Sequence, residues 1–281
     1  MALDTTAADD QIVYLNGAFM PMNEARIPVL DRGFIFGDGV YEVIPVYKRT
    51  PFRLPEHLRR LQYSLDGIRL PNPYAEPEWA RLIRELVARC PDDNQSLYLQ
   101  VTRGVAKRDH AFPKETQPTV FMMTNALSSP PAEAIANGVS AITAVDNRWL
   151  RCDIKATALL PNVLMRQLAV DAGATEAILL RDGTIITPPK SNLLLPGTTY
   201  DVVLELAEQA GLHFEVRAVA EEEVRHADEI WMSSATKEVL GITKLDGKAV
   251  GNGVPGPLFK RMHALYQQFK AQSATQTKAH A

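Results

Sequence analysis

Cysteine, long apolar runs and concentrated positive charge are all scarce in this 281-residue sequence. The two cysteines, Cys90 and Cys152, form no CxxC pair, which argues against a disulfide framework and a zinc site. No apolar run reaches the about 18 residues that a membrane-spanning helix needs, and the polar start has no apolar signal core. The net charge of −3 comes without a basic block, so nucleic acid is not an expected partner. We therefore expect a soluble cytoplasmic protein.

What the chain does have is the composition of a folded protein. Apolar residues make up 46% and charged residues 22%, and the length suffices for two ordinary domains. Strand-like segments rich in Val, Ile and Tyr alternate with segments of helical apolar spacing, and a Ser-Ser-Pro-Pro stretch is the strongest linker signal. The sequence predicts an α+β protein with a small α/β domain at 11–124, an interdomain linker at 125–135, a larger α/β domain at 136–270, and disordered tails at 1–10 and 271–281.

Lys155 stands at the head of an apolar stretch, in RCDIKATALLPNVLM. Apolar surroundings disfavour the ammonium form of a lysine and lower its pKa. The neutral amine is a nucleophile that can form a Schiff base with an aldehyde. The alternative is a lysine whose stem is buried and whose charged end reaches water.

Other segments carry chemistry-bearing side chains, each with a structural alternative. RGVAKRDHAFP includes Arg108 and His110, which suit a carboxylate ligand but are equally typical of a solvated loop. LLLPGTTYD leads into a helix whose N-terminal amides suit an anion, although Thr198 or Thr199 is also a good N-cap. WMSSATKE offers further hydroxyl groups. Together with an amine nucleophile, a carboxylate-binding loop and two groups of anion donors are the components of a pyridoxal-phosphate site.

These segments, in this order, resemble the fold-type IV pyridoxal-phosphate family and, within it, the D-amino acid aminotransferases. The similarity spans about residues 11–270 and is carried by DRGFIFGDGVYEV, EHLRRL, VTRGVAKRDHAFP, WLRCDIKATALLPN, LLLPGTTYDVVLELA and SSATKEV. It implies the two-domain fold of that family and a pyridoxal 5'-phosphate cofactor. It further implies a homodimer that moves an amino group from a D-amino acid such as D-alanine to a 2-oxo acid such as 2-oxoglutarate.

The same resemblance implies roles for individual residues. Lys155 would be the Schiff-base lysine and the catalytic proton carrier. Tyr41, Arg108 and His110 would hold the substrate α-carboxylate, and the Arg-x-His spacing favours the D-amino acid subgroup over the branched-chain one. The cofactor phosphate and ring would be contacted by residues from several segments, namely Arg60, Leu195, Thr198, Thr199, Ser234 and Ala235.

The sequence departs from the family pattern directly after RDGT. About 15 residues of the usual pattern are absent, including a strand segment near 184–187 and the glutamate that faces the pyridine nitrogen. Thr187 stands where an acid is expected in one alignment, and Glu176 is the nearest acid in sequence. Weak activity, substitution by another acid, and loss of activity are the three outcomes consistent with this departure.

Two further functions share the cofactor or the fold. One is a pyridoxal-phosphate lyase that acts on an aminodeoxychorismate-like substrate, against which the Arg-x-His loop argues. The other is a catalytically impaired cofactor-binding homologue, which the missing acid segment favours.

Overall fold

The computed structural model of the protein describes residues 11–182, 184–185 and 189–276. The chain divides into two compact units. Of the described residues, the first contains those up to Ser128, Ile154–Ala158 and Gln276, and the second contains Ser129–Asp153 and those of Leu159–Thr275. The lysine segment therefore folds with the first unit, although it lies in the sequence range expected for the larger domain. The expected tail at 1–10, residues 277–281 of the expected tail at 271–281, and the positions 183 and 186–188 lie outside the described residues.

The first unit is built on an antiparallel sheet. Its described strands are β1 (Ile12–Leu15), β2 (Ala18–Pro21), β3 (Gly39–Tyr47), β4 (Thr50–Pro51), β5 (Gln95–Thr102) and β6 (Thr119–Ala126). They lie in the order β2-β1-β6-β5-β3-β4. Along β5, Leu97, Leu99 and Val101 are buried whereas Tyr98 and Gln100 are half-buried. This period-two alternation directs one face of the sheet into the core.

Helices cover that buried face. The described helices of the first unit are α1 (Arg32–Phe36), α2 (Leu54–Gly67) and α3 (Glu76–Arg89), and a short 3₁₀ turn spans Met22–Glu24. The apolar spacing of the sequence predicts α2 and α3. Leu58, Leu61 and Leu65 of α2 are buried in one core cluster with Trp79 and Leu82 of α3. Burial of each such side chain stabilises the fold by about 1.5–3 kcal/mol.

The second unit combines a mixed sheet with helices. Its described strands are β7 (Val139–Val145), β8 (Glu176–Arg181), β9 (Thr184–Ile185), β10 (Ile230–Ser234), β11 (Glu238–Leu245) and β12 (Lys248–Ala249). The strand order is β10-β11-β7-β8-β9, with β12 paired to β11. Strands β11, β7 and β8 are parallel neighbours, whereas β9, β10 and β12 pair antiparallel. A parallel pair such as β7 and β8 needs a long crossover connection.

The helices of the second unit include the ones that the sequence predicts. They are α4 (Ala132–Asn137), α5 (Leu160–Asp171), α6 (Thr198–Gln209), α7 (Glu221–Arg225) and α8 (Pro257–Gln276). Helix α4 lies partly in the range expected for a linker, and α8 extends through residues 271–276, which were expected in the tail. Among the described ranges, no helix combines the length and the apolar character needed to cross a bilayer.

Gly104, directly after β5, occupies a position that no larger residue fits. Its φ is +84°, and an added Cβ would overlap the backbone carbonyl of Gln117. Gly17 has a φ of +98° but open space around the same position. Gly104→Ala should lower the free energy of unfolding by about 2 kcal/mol more than Gly17→Ala, because only the former adds a backbone clash to the positive-φ strain. Urea titration of both variants measures this difference, and equal losses would contradict the steric argument.

Candidate active site

The segment that carries Lys155 runs alongside the start of β3. The backbone N–H of Tyr41 donates to the carbonyl of Lys155 at 2.9 Å, and Ala156 forms a β-bridge with Val40. Ile154 and Ala156 are buried in the core of the first unit. Because side chains alternate along an extended segment, Lys155 is directed away from the side that these two residues fill.

The Lys155 amine has no hydrogen-bond or ion-pair partner among the residues that the structure describes. Its Nζ lies 4.0 Å from the centroid of the Tyr41 ring. Burial lowers the pKa of Lys155 from 10.5 to about 8, with a further decrease from the Arg60 charge and an opposing effect from Glu42. An appreciable fraction of the amine is therefore neutral near pH 7.5 and can act as a nucleophile. These properties favour a reactive lysine over the alternative, a lysine whose charged end is solvated.

A carboxylate with no solvent exposure lies in the same neighbourhood. Oε1 of Glu42 accepts a hydrogen bond from Arg60 Nε at 2.7 Å, and Oε2 accepts from Arg60 Nη2 at 2.7 Å and from His57 Nδ1 at 2.8 Å. Burial raises the pKa of the Glu42 carboxyl, but the bonds from Arg60 and His57 outweigh it and bring the pKa to about 2. Burial also lowers the pKa of His57. Glu42 is therefore ionised, and its charge is matched by Arg60.

Sequence reasoning selected Arg60 but missed Glu42, His57 and Ser64. The backbone N–H of Lys155 donates to Ser64 Oγ at 3.2 Å, and Ser64 is fully buried. A signal was available, because positions 57, 60 and 64 are three and four residues apart and share one face of α2. Glu42 stands among the apolar residues of a strand, where an unpaired carboxylate would be costly.

The loop after β5 presents Arg108 and His110, both exposed, beside Phe36. The Arg108 Cζ is 5.5 Å from the centroid of the Phe36 ring, and the His110 ring lies 5.4 Å from it. In the described part of the chain neither residue hydrogen-bonds to Tyr41, whose ring instead stacks on Tyr98 at 5.7 Å. The fold thus brings Arg108 and His110 together at one aromatic ring and Tyr41 to the lysine, and among the described residues no hydrogen bond joins the two groups.

Two buried arginines, Arg32 and Arg103, stabilise the loop that carries Arg108 and His110. Arg32 Nη1 donates to the carbonyl of Asp109 at 2.6 Å, and Arg32 Nε donates to Asp38 at 2.8 Å. Arg103 Nε reaches the same Asp38 oxygen at 2.8 Å. The side chains of Arg32 and Arg103 are both only 4% exposed. Arg103 therefore stabilises the base of the loop and is not part of its solvated surface, and Arg32 is an anchor that the sequence patterns did not reveal.

In the second unit, Thr198 and Thr199 are the first two residues of α6 and are buried. The N-cap is Gly197, so neither threonine caps the helix. The first N–H groups of any helix lack intrahelical partners, and together with the helix dipole they favour an anion. Leu195 lies two residues before the N-cap and is half-buried.

Ser234 and Ala235 lie where β10 turns into β11. Ser234 Oγ accepts a hydrogen bond from the backbone N–H of Lys237 at 3.1 Å. The adjacent Glu238 is buried and forms an ion pair with Lys270 at 2.8 Å. This turn is therefore held by its own hydrogen bond and by a connection to α8. Ala235 brings no polar side chain to it.

Glu176, the acid nearest in sequence to the missing segment, begins β8. Its Oε2 lies 3.0 Å from Lys237 Nζ in a partly exposed ion pair. This carboxylate is already matched by a cation, which weighs against Glu176 as the substitute acid. Thr187, the other position considered for that acid, lies outside the described residues.

The family model described as amino-transferase class IV matches residues 39–182 and 178–245. These ranges include β3, α2, the lysine segment and α6. The chain belongs to this family, which confirms the fold-type IV resemblance. Two relatives are named D-alanine aminotransferase. The one from Bacillus licheniformis is 42% identical over 271 residues, covering 91% of this chain and 95% of the relative. The one from Staphylococcus haemolyticus is 36% identical over 274 residues, covering 92% and 97%.

Solved structures confirm the fold. The branched-chain amino acid aminotransferase of Escherichia coli superposes with a TM-score of 0.84 at 24% identity and covers 90% of this chain and 92% of that one. The branched-chain aminotransferase from Thermoproteus uzoniensis, solved with norvaline, gives a TM-score of 0.84 at 22% identity, with coverage of 95% and 96%. At these identities the similarity concerns the fold alone.

The comparisons also bear on the absent segment. For the Bacillus licheniformis relative, 91% of this chain is about 256 residues, about 15 fewer than the 271 aligned positions. The family model matches in two pieces that meet at residues 178–182. The aligned length therefore requires gaps in this chain of the predicted size, and the family match is interrupted where the sequence pattern breaks.

The lowered pKa of Lys155 makes stability depend on pH in the cofactor-free protein. Between about pH 8 and 10.5 the unfolded chain keeps the lysine proton that the folded chain has released, so stability rises with pH in this window. From pH 7.5 to 9.5 the free energy of unfolding should therefore increase by about 2 kcal/mol more in the wild type than in Lys155→Met. Urea titrations at both pH values test this, and parallel curves would show that the amine is not desolvated.

Proposed function

We propose that this protein is a pyridoxal-phosphate-dependent aminotransferase that moves the amino group of a D-amino acid, such as D-alanine, to a 2-oxo acid, such as 2-oxoglutarate. The observation that carries the proposal is the Lys155 amine, which has no polar partner in the described part of the chain and whose pKa is lowered to about 8, in a member of the class IV family. The names of the D-alanine aminotransferase relatives support the reaction and the substrate class.

The residues present fit the two ends of this cofactor. An aldehyde needs a neutral amine, which Lys155 supplies without first breaking an ion pair among the described residues. A phosphate needs cations and N–H donors, and the resemblance assigns to it the Arg60 guanidinium, which is only 8% exposed and is bound to Glu42 through Nε and Nη2. In the second unit, the resemblance assigns Thr198, Thr199 and Ser234 to the phosphate and Leu195 to the ring. When bound, pyridoxal phosphate supplies an electron sink for the charge that develops on the substrate α-carbon.

The chain's own groups then have distinct roles. Lys155 Nζ would hold the cofactor aldehyde and would carry the α-proton of the substrate. A pKa near neutrality suits both removal and return of that proton. The Tyr41 ring restricts the position of the amine. Arg108 and His110 offer positive charge and N–H donors to the substrate carboxylate, as the family resemblance implies.

The absent acid segment bears on the rate. Glu176 is paired with Lys237, and no other acid has been assigned to the pyridine nitrogen. A charge-assisted contact of that kind is worth about 1.5–3 kcal/mol, or roughly one to two decades in rate. We therefore expect the turnover of this protein to be lower than that of its relatives by about that factor.

Cofactor attachment is tested by trapping. The protein incubated with pyridoxal 5'-phosphate should develop a visible absorption band, and borohydride should then fix the cofactor on Lys155, where peptide mass spectrometry locates it. Lys155→Ala should show neither the band nor the added mass, because no other amine takes its place. A colourless wild-type protein, or a label at another lysine, would refute the assignment.

Activity is tested by following pyruvate from D-alanine with 2-oxoglutarate as acceptor, with L-alanine as the stereochemical control. Pyruvate formation that requires both D-alanine and the acceptor would support an aminotransferase. Pyruvate released from an aminodeoxychorismate-like substrate without an amino acceptor would identify the lyase alternative instead. Cofactor attachment without either product would identify a catalytically impaired homologue.

A homodimer is a further proposal. Helix α5 exposes several apolar side chains at helical spacing: Leu160 (69% exposed), Val163 (59%), Leu164 (53%) and Leu168 (46%). Such a stripe is typical of a face that packs against another surface. Sedimentation equilibrium should give twice the 31.1 kDa mass of the chain, and a monomer at micromolar concentration would contradict the proposal. Cytoplasmic location stays a prediction.

A further inference from the structure

Glu42 is a carboxylate inside an apolar core, where an unpaired charge would lower the stability of the fold. Its neighbours on the same face of β3, Val40 and Ile44, are fully buried apolar residues, and Glu42 itself has no exposure. A buried carboxylate needs partners for its lone pairs, or it takes up a proton. Three hydrogen bonds, two from Arg60 and one from His57, meet that need. The arrangement makes the carboxylate a fixed negative charge within the core.

The contact geometry fixes Arg60 as well. Two different nitrogens of the guanidinium, Nε and Nη2, bond to the two oxygens of Glu42, each at 2.7 Å. A planar guanidinium held at two points cannot rotate about its last bond without losing one of them. Arg60 is therefore held in one orientation by a strand residue. The lysine segment bonds to the same strand, through the Tyr41 N–H, and to the same helix, through Ser64.

We propose that Glu42 is the positioning residue of the lysine site: it holds the Arg60 guanidinium in one orientation and places a negative charge opposite that arginine, on the strand and beside the helix to which the lysine segment is bonded. This inference rests on the assignment of Lys155 as the cofactor lysine and assigns Glu42 a role that acts through Arg60 and Lys155.

The charges around the amine act on it with opposite signs. The amine lies over the ring of Tyr41 on β3. The charges that act on its pKa are those of Glu42 on β3 and Arg60 on α2, and the amine in turn acts on the pKa of His57 on α2. Tyr98 of β5 stacks on Tyr41 and has a pKa raised to about 12 by burial, so it is neutral throughout the relevant range. Arg60 disfavours the ammonium form and Glu42 favours it. Removal of the Glu42 charge should therefore lower the pKa of the amine, and removal of the Arg60 charge should raise it.

Competitive labelling of the full-length, cofactor-free protein measures that titration. Trace acylation at a series of pH values, followed by peptide mass spectrometry, gives the apparent pKa of Lys155 without any catalysis. Glu42→Gln should lower the midpoint by about one unit and Arg60→Gln should raise it by about one unit, the lower end of what a close charge does. Shifts of the same sign, or none in either variant, would overturn the proposal.

Asp38→Asn is the matched control. Asp38 is also a half-buried carboxylate held by two arginines in the first unit, Arg32 and Arg103, but it contributes nothing to the Lys155 pKa. This variant loses a comparable ion pair and should leave the Lys155 midpoint unchanged. A shift as large as that of Glu42→Gln would show that general destabilisation of the unit, rather than the charge of Glu42, moves the amine.

Glu42→Asp separates orientation from charge. Aspartate keeps the negative charge but is one methylene too short to reach both guanidinium nitrogens. The Lys155 midpoint should stay within about 0.3 units of wild type. The ratio of the affinity for pyridoxal 5'-phosphate to that for pyridoxal should fall about tenfold, because a loosened Arg60 recognises the phosphate less well. An unchanged ratio would exclude the orienting role.

Failure of the proposed function and failure of the Glu42 role give different results. If trapping finds the cofactor on another residue, the proposed function is refuted. The labelling of the cofactor-free protein then still decides whether Glu42 and Arg60 act on the Lys155 amine. If Lys155 is trapped but its midpoint ignores Glu42 and Arg60, the function stands and the role of Glu42 is refuted.

Discussion

The first unit depends on one buried charge arrangement, in which Glu42 in the middle of β3 is bound by Arg60 and His57 of the helix that covers the sheet. All three side chains are almost completely shielded from water. Leu58, Leu61 and Leu65 supply most of the apolar contact between this helix and the core, but apolar packing alone does not specify which polar atom faces which. The hydrogen bonds from Arg60 and His57 to the Glu42 carboxylate specify these polar contacts, and they fix the orientation of α2 close to the lysine segment.

The reactivity of Lys155 follows from what surrounds it. Its backbone is bonded on one side to β3 and on the other to Ser64, while its amine has an aromatic face and two opposing charges as neighbours. Desolvation is the largest influence on its pKa, and the Arg60–Glu42 pair modifies it. A second ionic cluster, Asp38 with Arg32 and Arg103, supports the loop of Arg108 and His110. Buried ion pairs thus support both a desolvated amine, that of Lys155, and an exposed loop, that of Arg108 and His110.

The absent segment sets this chain apart from the relatives that it otherwise matches over nearly their whole length. Under the proposed function, the amine and the anion donors belong to parts of the chain that are intact, whereas the acid that the family resemblance assigns to the ring nitrogen belongs to the part that is missing. The proposal therefore separates attachment of the cofactor from acceleration of the reaction. The first depends on local desolvation, and the second depends on a charge opposite the ring.

The sequence by itself determined the elements and the family. Helical spacing predicted α2, α3 and α6 and the Val- and Tyr-rich runs predicted the main strands, since burial of one face is encoded by residues close together in the chain. Ordered motifs, through the family resemblance, predicted Lys155, Arg60 and the Arg-x-His loop as site residues, and these roles stay predictions. Only the tertiary structure decided that the lysine segment folds with the first unit, that Glu42 and His57 bind Arg60, and that Arg32 and Arg103 are buried anchors. Those facts rest on pairs at least 15 residues apart, and 91 residues apart for Ser64 and Lys155, and no local pattern specifies which distant partner a buried charge will meet.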